Sequence, residues 1–390
     1  LSAVAESEKK AHLAIYLTFA AFGAIVGTHV GSFPVLVERA GLTPFQFGVA
    51  GSLGMLMNIG CMGLGGVINR FASHRTVLLL VIPTAAVALL GALLAQSVTG
   101  FFVSFLLVNA CLGTMDLFMN AEASLVEHEL GRPVFSTYHG SATYAVAAFA
   151  VVGSLCSVLL APWFGIVLVA VPLALAWAAV YSHVADRGPV GRKAAYGKAP
   201  LPFGILTIIG LAAGFNVTCE VAAIQWSGQL LAKIAPDLAA ISGLGLAFYG
   251  ICGGTIRMFG DALRGRFGDF RVMLTSLVVA IAGFAGLGTG PGFWLSAFAF
   301  AAVGFGLALI FPCLFALAGR LVPSARAAAM SYAAFVGGVP RVFLPWLLGM
   351  LATGQSVNAV FGACAVFAAC GLVLIAVAYG RTDAGRNAAA

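Results

Sequence analysis

The sequence predicts an all-α integral membrane protein: twelve transmembrane helices in two pseudo-repeated six-helix bundles, both termini cytoplasmic. Three observations carry this expectation. Of 390 residues, 61% are hydrophobic and only 8% are charged, whereas a soluble domain carries about a quarter charged residues. The apolar residues run in stretches of bilayer-crossing length, about 20 residues of helix. The basic residues gather in alternate connections, the bias that sets orientation in membranes. A mean hydropathy of +1.05 could not be covered by polar surface in one globule. That excludes a soluble enzyme, a nucleic-acid-binding domain and a disordered tail.

Breaks at polar residues, Gly and Pro cut the chain into segments 12–36, 45–69, 76–97, 100–127, 139–161 and 164–185, then 202–231, 238–262, 271–290, 293–318, 325–352 and 355–380. Runs such as 77–94 and 360–378 lack the two-residue alternation of a membrane barrel strand. Residues 1–11 are polar, and the apolar stretch after them is too long for a cleavable signal.

With the N-terminus inside, the cytoplasmic segments hold Lys9, Lys10, Arg70, Arg75, Arg132, Arg187, Arg192, Lys193, Lys198, Arg264, Arg266, Arg271, Arg320, Arg326, Arg381 and Arg386. The external loops hold only Arg39 and Lys233, and Arg257 and Arg341 fall within spans. The net charge of +7 is scattered singly, so nucleic acid is not an expected partner. The eight cysteines lie in apolar stretches without a CxxC pair and read as small buried hydrophobes. The connection 186–200, DRGPVGRKAAYGKAP, is basic and Gly/Pro-punctuated. It reads as a cytoplasmic linker between bundles at 1–185 and 201–390.

Ionisable groups inside spans are costly and mark functional candidates. In span four, Asp116 lies near the midplane with Asn120 one turn further on. A lone carboxyl there can gain and lose a proton as water access alternates, or can serve only as a static hydrogen-bond partner. Glu220 in span seven, with Gln225 and Trp226, offers an acid, an amide and an amphipathic aromatic for a polar solute. Interfacial anchoring is the competing reading. Arg341 follows Gly337-Gly338 and Pro340 in span eleven. It is expected to clamp a substrate anion or to pair with Glu220 or Asp116. Arg257 stands four residues before Asp261, and that pair reads as part of a gate, with Glu122 a further gate candidate. His29 in span one is either a packed neutral histidine or a solute contact.

The two halves echo one another weakly. Gly65-Gly66 and Gly253-Gly254 precede basic turns, Tyr138 opens span five, and Tyr332 lies near the start of span eleven. Repeats of this kind typify secondary transporters. The stretch from Gly65 through Asn69, Arg70 and His74 to Arg75 resembles the signature loop between spans two and three of the major facilitator superfamily, G-x-x-x-D-R-x-G-[RK]-[RK], with Asn69 in place of the acid. The copy after span eight runs from Arg257 through Asp261, Arg264 and Arg266 to Gly268. The resemblance implies that these loops hold one conformation closed, with Asp261 carrying more of the latch because Asn69 lacks a charge.

Within that superfamily, three stretches resemble a bacterial inner-membrane branch related to the fucose–proton symporters. They are Asp116 to Asn120, Gly131-Arg132-Pro133 with Ser136, His139 and Gly140, and Glu220 to Ser227. The resemblance implies proton coupling at Asp116 and Glu220, no cofactor, no catalytic residue, and a monomer working on a small solute and protons within the bilayer.

The expected function is therefore uptake of a small polar solute by proton symport. Efflux of drugs or metabolites by antiport is an alternative that calls for a large apolar cavity. A receptor or assembly factor of transporter fold would need no cavity. Cys111, Met115 and Met119 recur every four residues on span four, a soft-ligand pattern that leaves copper import as a minor alternative, beside flavin import. No nucleophile–base pairing or G-x-x-x-x-G-K-[ST] loop is present, so neither an enzyme nor an ATP-driven pump is expected.

Overall fold

A computed structural model describes residues 2–130, 134–189 and 200–382, without the side chains of residues 2–8, Ser136 and Ala327. Gly131, Arg132 and Pro133, the linker segment 190–199 with Arg192, Lys193 and Lys198, and Arg386 lie outside the described residues. The described residues contain α-helices, two short 3-10 turns and no strand.

Among the described residues, twelve helices are long and apolar enough to cross a membrane. Spans one to six are Lys9–Gly31, Pro44–Ile68, His74–Leu94, Val98–Leu130, Thr137–Leu159 and Phe164–His183. Spans seven to twelve are Phe203–Ile234, Pro236–Met258, Asp269–Gly288, Phe293–Leu321, Ala328–Gly354 and Val357–Gly380.

Local chemistry explains the boundaries. Thr43 caps span two through a reciprocal pair: its hydroxyl accepts from the Gln46 amide at 3.2 Å, and Gln46 Oε1 accepts from the Thr43 amide at 2.9 Å. Pro44 then occupies the first turn, where a missing N–H is harmless. Segment 12–36 is shorter than expected. Span one stops at Gly31, and Pro34 starts a separate helix, Phe33–Arg39, because proline cannot donate into the preceding turn. Segment 238–262 likewise ends at Met258, and Gly260–Phe267 forms a helix of its own.

Lipid gives helices no hydrophobic reason to associate, so close approach depends on small residues. Span one presents Gly23, Gly27 and Gly31 to span five. A Cβ on each would stand 2.2, 2.5 and 2.1 Å from the carbonyl oxygens of Ala142, Val146 and Ala150. Span seven repeats the device against span eleven, where Gly210 and Gly214 would each bring a Cβ to 2.6 Å from the carbonyls of Ala333 and Gly337. Spans one and five, and seven and eleven, thus pair by the same device.

The first six spans pack on one another, as do the last six, and two seams carry most of the contact between the groups: span two with eleven, and span five with eight. The two-eleven seam is tight at the end where span two begins. There Gly48 meets Gly349, and Ser52 Oγ accepts from the Trp346 amide at 2.9 Å. The five-eight seam stays in contact from Gly243, whose amide donates to Ser154 Oγ at 3.2 Å, to Tyr144, whose hydroxyl lies 3.1 Å from Thr255 Oγ1.

Candidate functional site

Beyond the tight end, spans two and eleven part around a cavity of about 1090 Å³ that opens toward the basic connections. Leu53, Leu56 and Ile59 of span two, Leu117 of span four, and Phe335 and Phe343 of span eleven supply most of its wall. Its polar members are Ser52, Ser331 and Arg341, with the indole of Trp346 beside them. The volume suits a drug-sized solute.

Arg341 is the charged residue of that wall. Pro340 and Pro345 flank it within the helix. Its Nη2 reaches across to the thioether of Met55 on span two at 3.4 Å, and its buried Nε has no partner. Asp116 and Glu220 both lie within electrostatic reach. It forms an ion pair with neither, so the pairing expected from sequence is not made in this conformation.

Both acids are engaged elsewhere. Asn120 Nδ2 donates to the Asp116 carbonyl at 2.7 Å and to its carboxylate at 2.8 Å. Asn120 Oδ1 faces His139 Nε2 of span five at 3.0 Å. An amide oxygen only accepts, so Nε2 carries the proton in this arrangement. The line Asp116–Asn120–His139 joins two titratable groups through one amide. His139 entered the sequence reading only as part of a resemblance. Its position one helical turn inside span five was the signal available.

Glu220 accepts from Arg257 Nη2 at 2.8 Å, and both side chains are less than a third exposed. Arg257 Nε also donates to the Ala308 carbonyl at 3.3 Å. That carbonyl is free because Pro312, four residues on, has no N–H to bond it, and span ten breaks there into Phe293–Leu307 and Ile310–Leu321. The expected Arg257–Asp261 pair is therefore corrected: Arg257 turns inward to Glu220. Tyr249 interacts with both members of that pair.

Gln225 and Trp226 do not line the cavity. Gln225 Nε2 donates to the Phe47 carbonyl at 3.0 Å, and the Trp226 ring meets Phe47 edge-on at 5.0 Å. Both are buried in the tight seam between the bundles. His29 is buried too, 4.8 Å from the Phe33 ring and 5.5 Å from Phe105, with Nε2 unpartnered. Met115 and Met119 are fully buried in the core beside Cys111, where they pack as fillers. Among the described residues no group of three His, Cys, Asp or Glu side chains could hold a metal.

At the basic end, Glu122 takes His74 Nδ1 at 3.1 Å and Arg187, and Arg187 also reaches Glu129 at 2.5 Å. Asn69 Nδ2 lies 3.3 Å from the other His74 nitrogen. Glu122 and Asn69 thus belong to one network inside the first six spans. Arg75 donates to the Tyr181 carbonyl at 2.6 Å and approaches Asp186 at 3.9 Å. Arg70 is exposed, and Arg266 lies over the Phe267 ring at 5.3 Å.

In the second loop the arginines converge on Asp269 more than on Asp261. Asp261 is 91% exposed and meets only Arg264, at 3.3 Å. Asp269 accepts from Arg264 at 2.8 Å and from Arg320 at 2.5 Å. The hydrogen bond from Asp269 raises Arg264 above its ordinary pKa. Sequence reasoning passed over Asp269 because it lies beyond the motif. Its place at the first turn of span nine, where acids complement the helix dipole, was the available signal.

No family model matches the chain. It is 27% identical over 372 residues to an uncharacterised transporter of Sinorhizobium fredii, covering 91% of this chain and 94% of that one. It is 25% identical over 340 residues to an uncharacterised MFS-type transporter of Yersinia pestis, covering 81% and 83%. Among solved structures, a D-xylose-proton symporter superposes with a TM-score of 0.73 at 14% identity, covering 95% of this chain and 96% of that one. The nucleoside transporter NupG gives 0.72 at 15% identity, covering 96% and 99%. The fold is that of the major facilitator superfamily, and the curated relatives are described as transporters. These likenesses support the superfamily and not the fucose–proton branch in particular.

Proposed function

We propose that this protein carries a small solute across a bacterial inner membrane by alternating access, taking it up with a proton. The observation that carries this reading is the two-eleven seam, tight at Gly48–Gly349 and parted beyond it around a cavity of about 1090 Å³. A solute-sized space between two bundles that touch at one end and part beyond it is the geometry alternating access requires, whereas a receptor or assembly factor needs none. The open end carries Arg70, Arg75, Arg264, Arg266 and Arg320, so the positive-inside bias makes it cytoplasmic and the conformation inward-open. Bundles 1–185 and 201–390 then rock about the seams.

Proton coupling is assigned to Asp116. It lies within electrostatic reach of the cavity arginine and is hydrogen-bonded to a neutral amide rather than to a cation. The solved neighbours of the same fold include a xylose–proton symporter, which supports coupling by analogy of fold. Glu220 is already neutralised by Arg257, and we assign it to holding span eight against span seven. A second reading, efflux by antiport, is favoured by one feature: the wall is mostly apolar.

The test is a pH-sensitive dye sealed in proteoliposomes under an imposed pH gradient. Solutes from a panel of sugars, nucleosides and carboxylates should drive proton entry in the wild type and not in Asp116→Asn. Solute accumulation that ignores the gradient in both proteins would end the symport reading. Proton exit on solute entry would favour antiport.

A further inference from the structure

The geometry points to a lipophilic organic monoanion as the solute of the two-eleven cavity, its carboxylate held by Arg341 and its body by the apolar wall, with one proton on Asp116 accompanying it. This rests on the transport reading above and names the substrate class within it.

The argument starts from unmet chemistry. An arginine keeps its charge and offers five N–H donors in a fixed fork that fits a carboxylate. Arg341 spends one contact on the Met55 thioether and leaves Nε buried without a partner. The acids within reach are held by other groups, Glu220 by Arg257 and Asp116 by Asn120. The cavity wall therefore presents a cation whose donors are not satisfied by protein carboxylate. An anion entering from the open end would complete it.

The rest of the wall decides what kind of anion. Sugars and nucleosides need many precisely placed polar groups. Besides Arg341 the wall offers the hydroxyls of Ser52 and Ser331 and the indole N–H of Trp346, too few for such a solute, and Ser52 already accepts from the Trp346 amide. Leu53, Leu56, Phe335 and Phe343 instead provide an apolar bed. A single guanidinium balances one negative charge, which excludes a polyphosphate or a tricarboxylate.

The same arithmetic couples the proton. Asp116 directly precedes Leu117 of the wall and lies within electrostatic reach of Arg341. With Asp116 ionised, its charge offsets that of Arg341, and an incoming anion would add surplus negative charge. With Asp116 protonated, the charge of Arg341 is uncompensated and one anion restores balance. Anion and proton therefore favour each other's binding, and the loaded carrier is electroneutral at this site. The groups facing the exchange are Asp116 and Asn120 on span four, His139 on span five, Arg341 on span eleven, Glu220 on span seven, and Tyr249 and Arg257 on span eight.

The experiment measures binding of phenylacetate, 4-phenylbutyrate and octanoate to protein in nanodiscs, each beside its neutral amide. At least one acid should bind more tightly than its amide by about tenfold or more, the worth of a charged hydrogen bond. Arg341→Gln should erase that preference and Arg341→Lys should keep part of it. Acid affinity should rise as the pH is lowered in the wild type, while Asp116→Asn holds the tight value throughout. If Arg341→Gln does not fold, the acid–amide comparison on the wild type decides alone. No acid exceeding its amide, or a folded Arg341→Gln with the preference intact, overturns the assignment. Proton entry driven by xylose or uridine in vesicles, and by none of the acids, would also overturn it while leaving proton-coupled transport standing. Failure of every solute to move protons would strike the transport reading instead.

Discussion

Gly48 of span two lies so close to Gly349 of span eleven that a Cβ on Gly48 would stand 2.6 Å from the Gly349 Cα. Real Cβ atoms do not approach backbone so closely, so Gly48→Ala must push the seam apart. Overpacking of this kind costs about 1–3 kcal/mol, enough to move a two-state population from severalfold to a hundredfold. Spin labels at the exposed positions Phe45 and Gln355 should report a longer distance in Gly48→Ala than in the parent. An unchanged distribution would mean that the closed end does not depend on this contact.

The Glu220–Arg257 pair predicts a non-additive response. Glu220→Gln leaves Arg257 against the Ala308 carbonyl without its anion, and should cost about 1–3 kcal/mol, less than a fully buried pair because both side chains keep some exposure. Glu220→Gln combined with Arg257→Gln should recover part of that loss. Thermal unfolding of the single and double variants gives the coupling directly, and simple addition of the two effects would argue against the pair.

Asp116→Asn separates carriage from coupling. The substitution removes the titratable group while the amide can still hydrogen-bond Asn120. Exchange of labelled for unlabelled solute across the vesicle membrane should persist, and uphill uptake driven by a pH gradient should fall to the passive level. Retained uphill uptake would move the coupling group elsewhere, with His139 the next to test.

Asp269 and Asp261 make opposite predictions. Asp269→Asn cuts the bonds to both Arg264 and Arg320 and should lower stability by about 1–2 kcal/mol, since Arg320 is half exposed and screened. Asp261→Asn should stay within about 0.5 kcal/mol, as an exposed surface change. Equal melting shifts for the two variants would show that the second loop does not distinguish them.

The twelve spans were legible because apolar length and loop charge are properties of contiguous sequence, and the boundaries moved by only a few residues. The larger misplacements have local causes. Pro34 ends the first span early, and the motif acid at Asp261 points into solvent while Asp269, outside the motif, receives the arginines. The site was legible in kind but not in partnership. Asp116, Glu220, Arg257 and Arg341 stood out as charges in apolar segments, yet sequence spacing paired Arg257 with its i+4 neighbour. A guanidinium reaches several ångströms in any direction its helix faces, and Glu220 lies 37 residues away in sequence. Gln225 and Trp226 read as a polar solute site because amide and indole suit one. Packing instead placed them against Phe47, in the seam.

The sequence by itself determined that this chain has twelve stretches long and apolar enough to cross a bilayer and carries a few expensive charges among them, because the cost of burying a residue in lipid is set residue by residue. Tertiary structure decided which charges neutralise each other and which one is left facing a cavity. That outcome depends on how two bundles meet, through glycine contacts at one end and a parted seam at the other, and no single segment encodes it. Arg341 shows the division: its sequence made it conspicuous, and only the fold left it with a cavity in front and no carboxylate bonded to it.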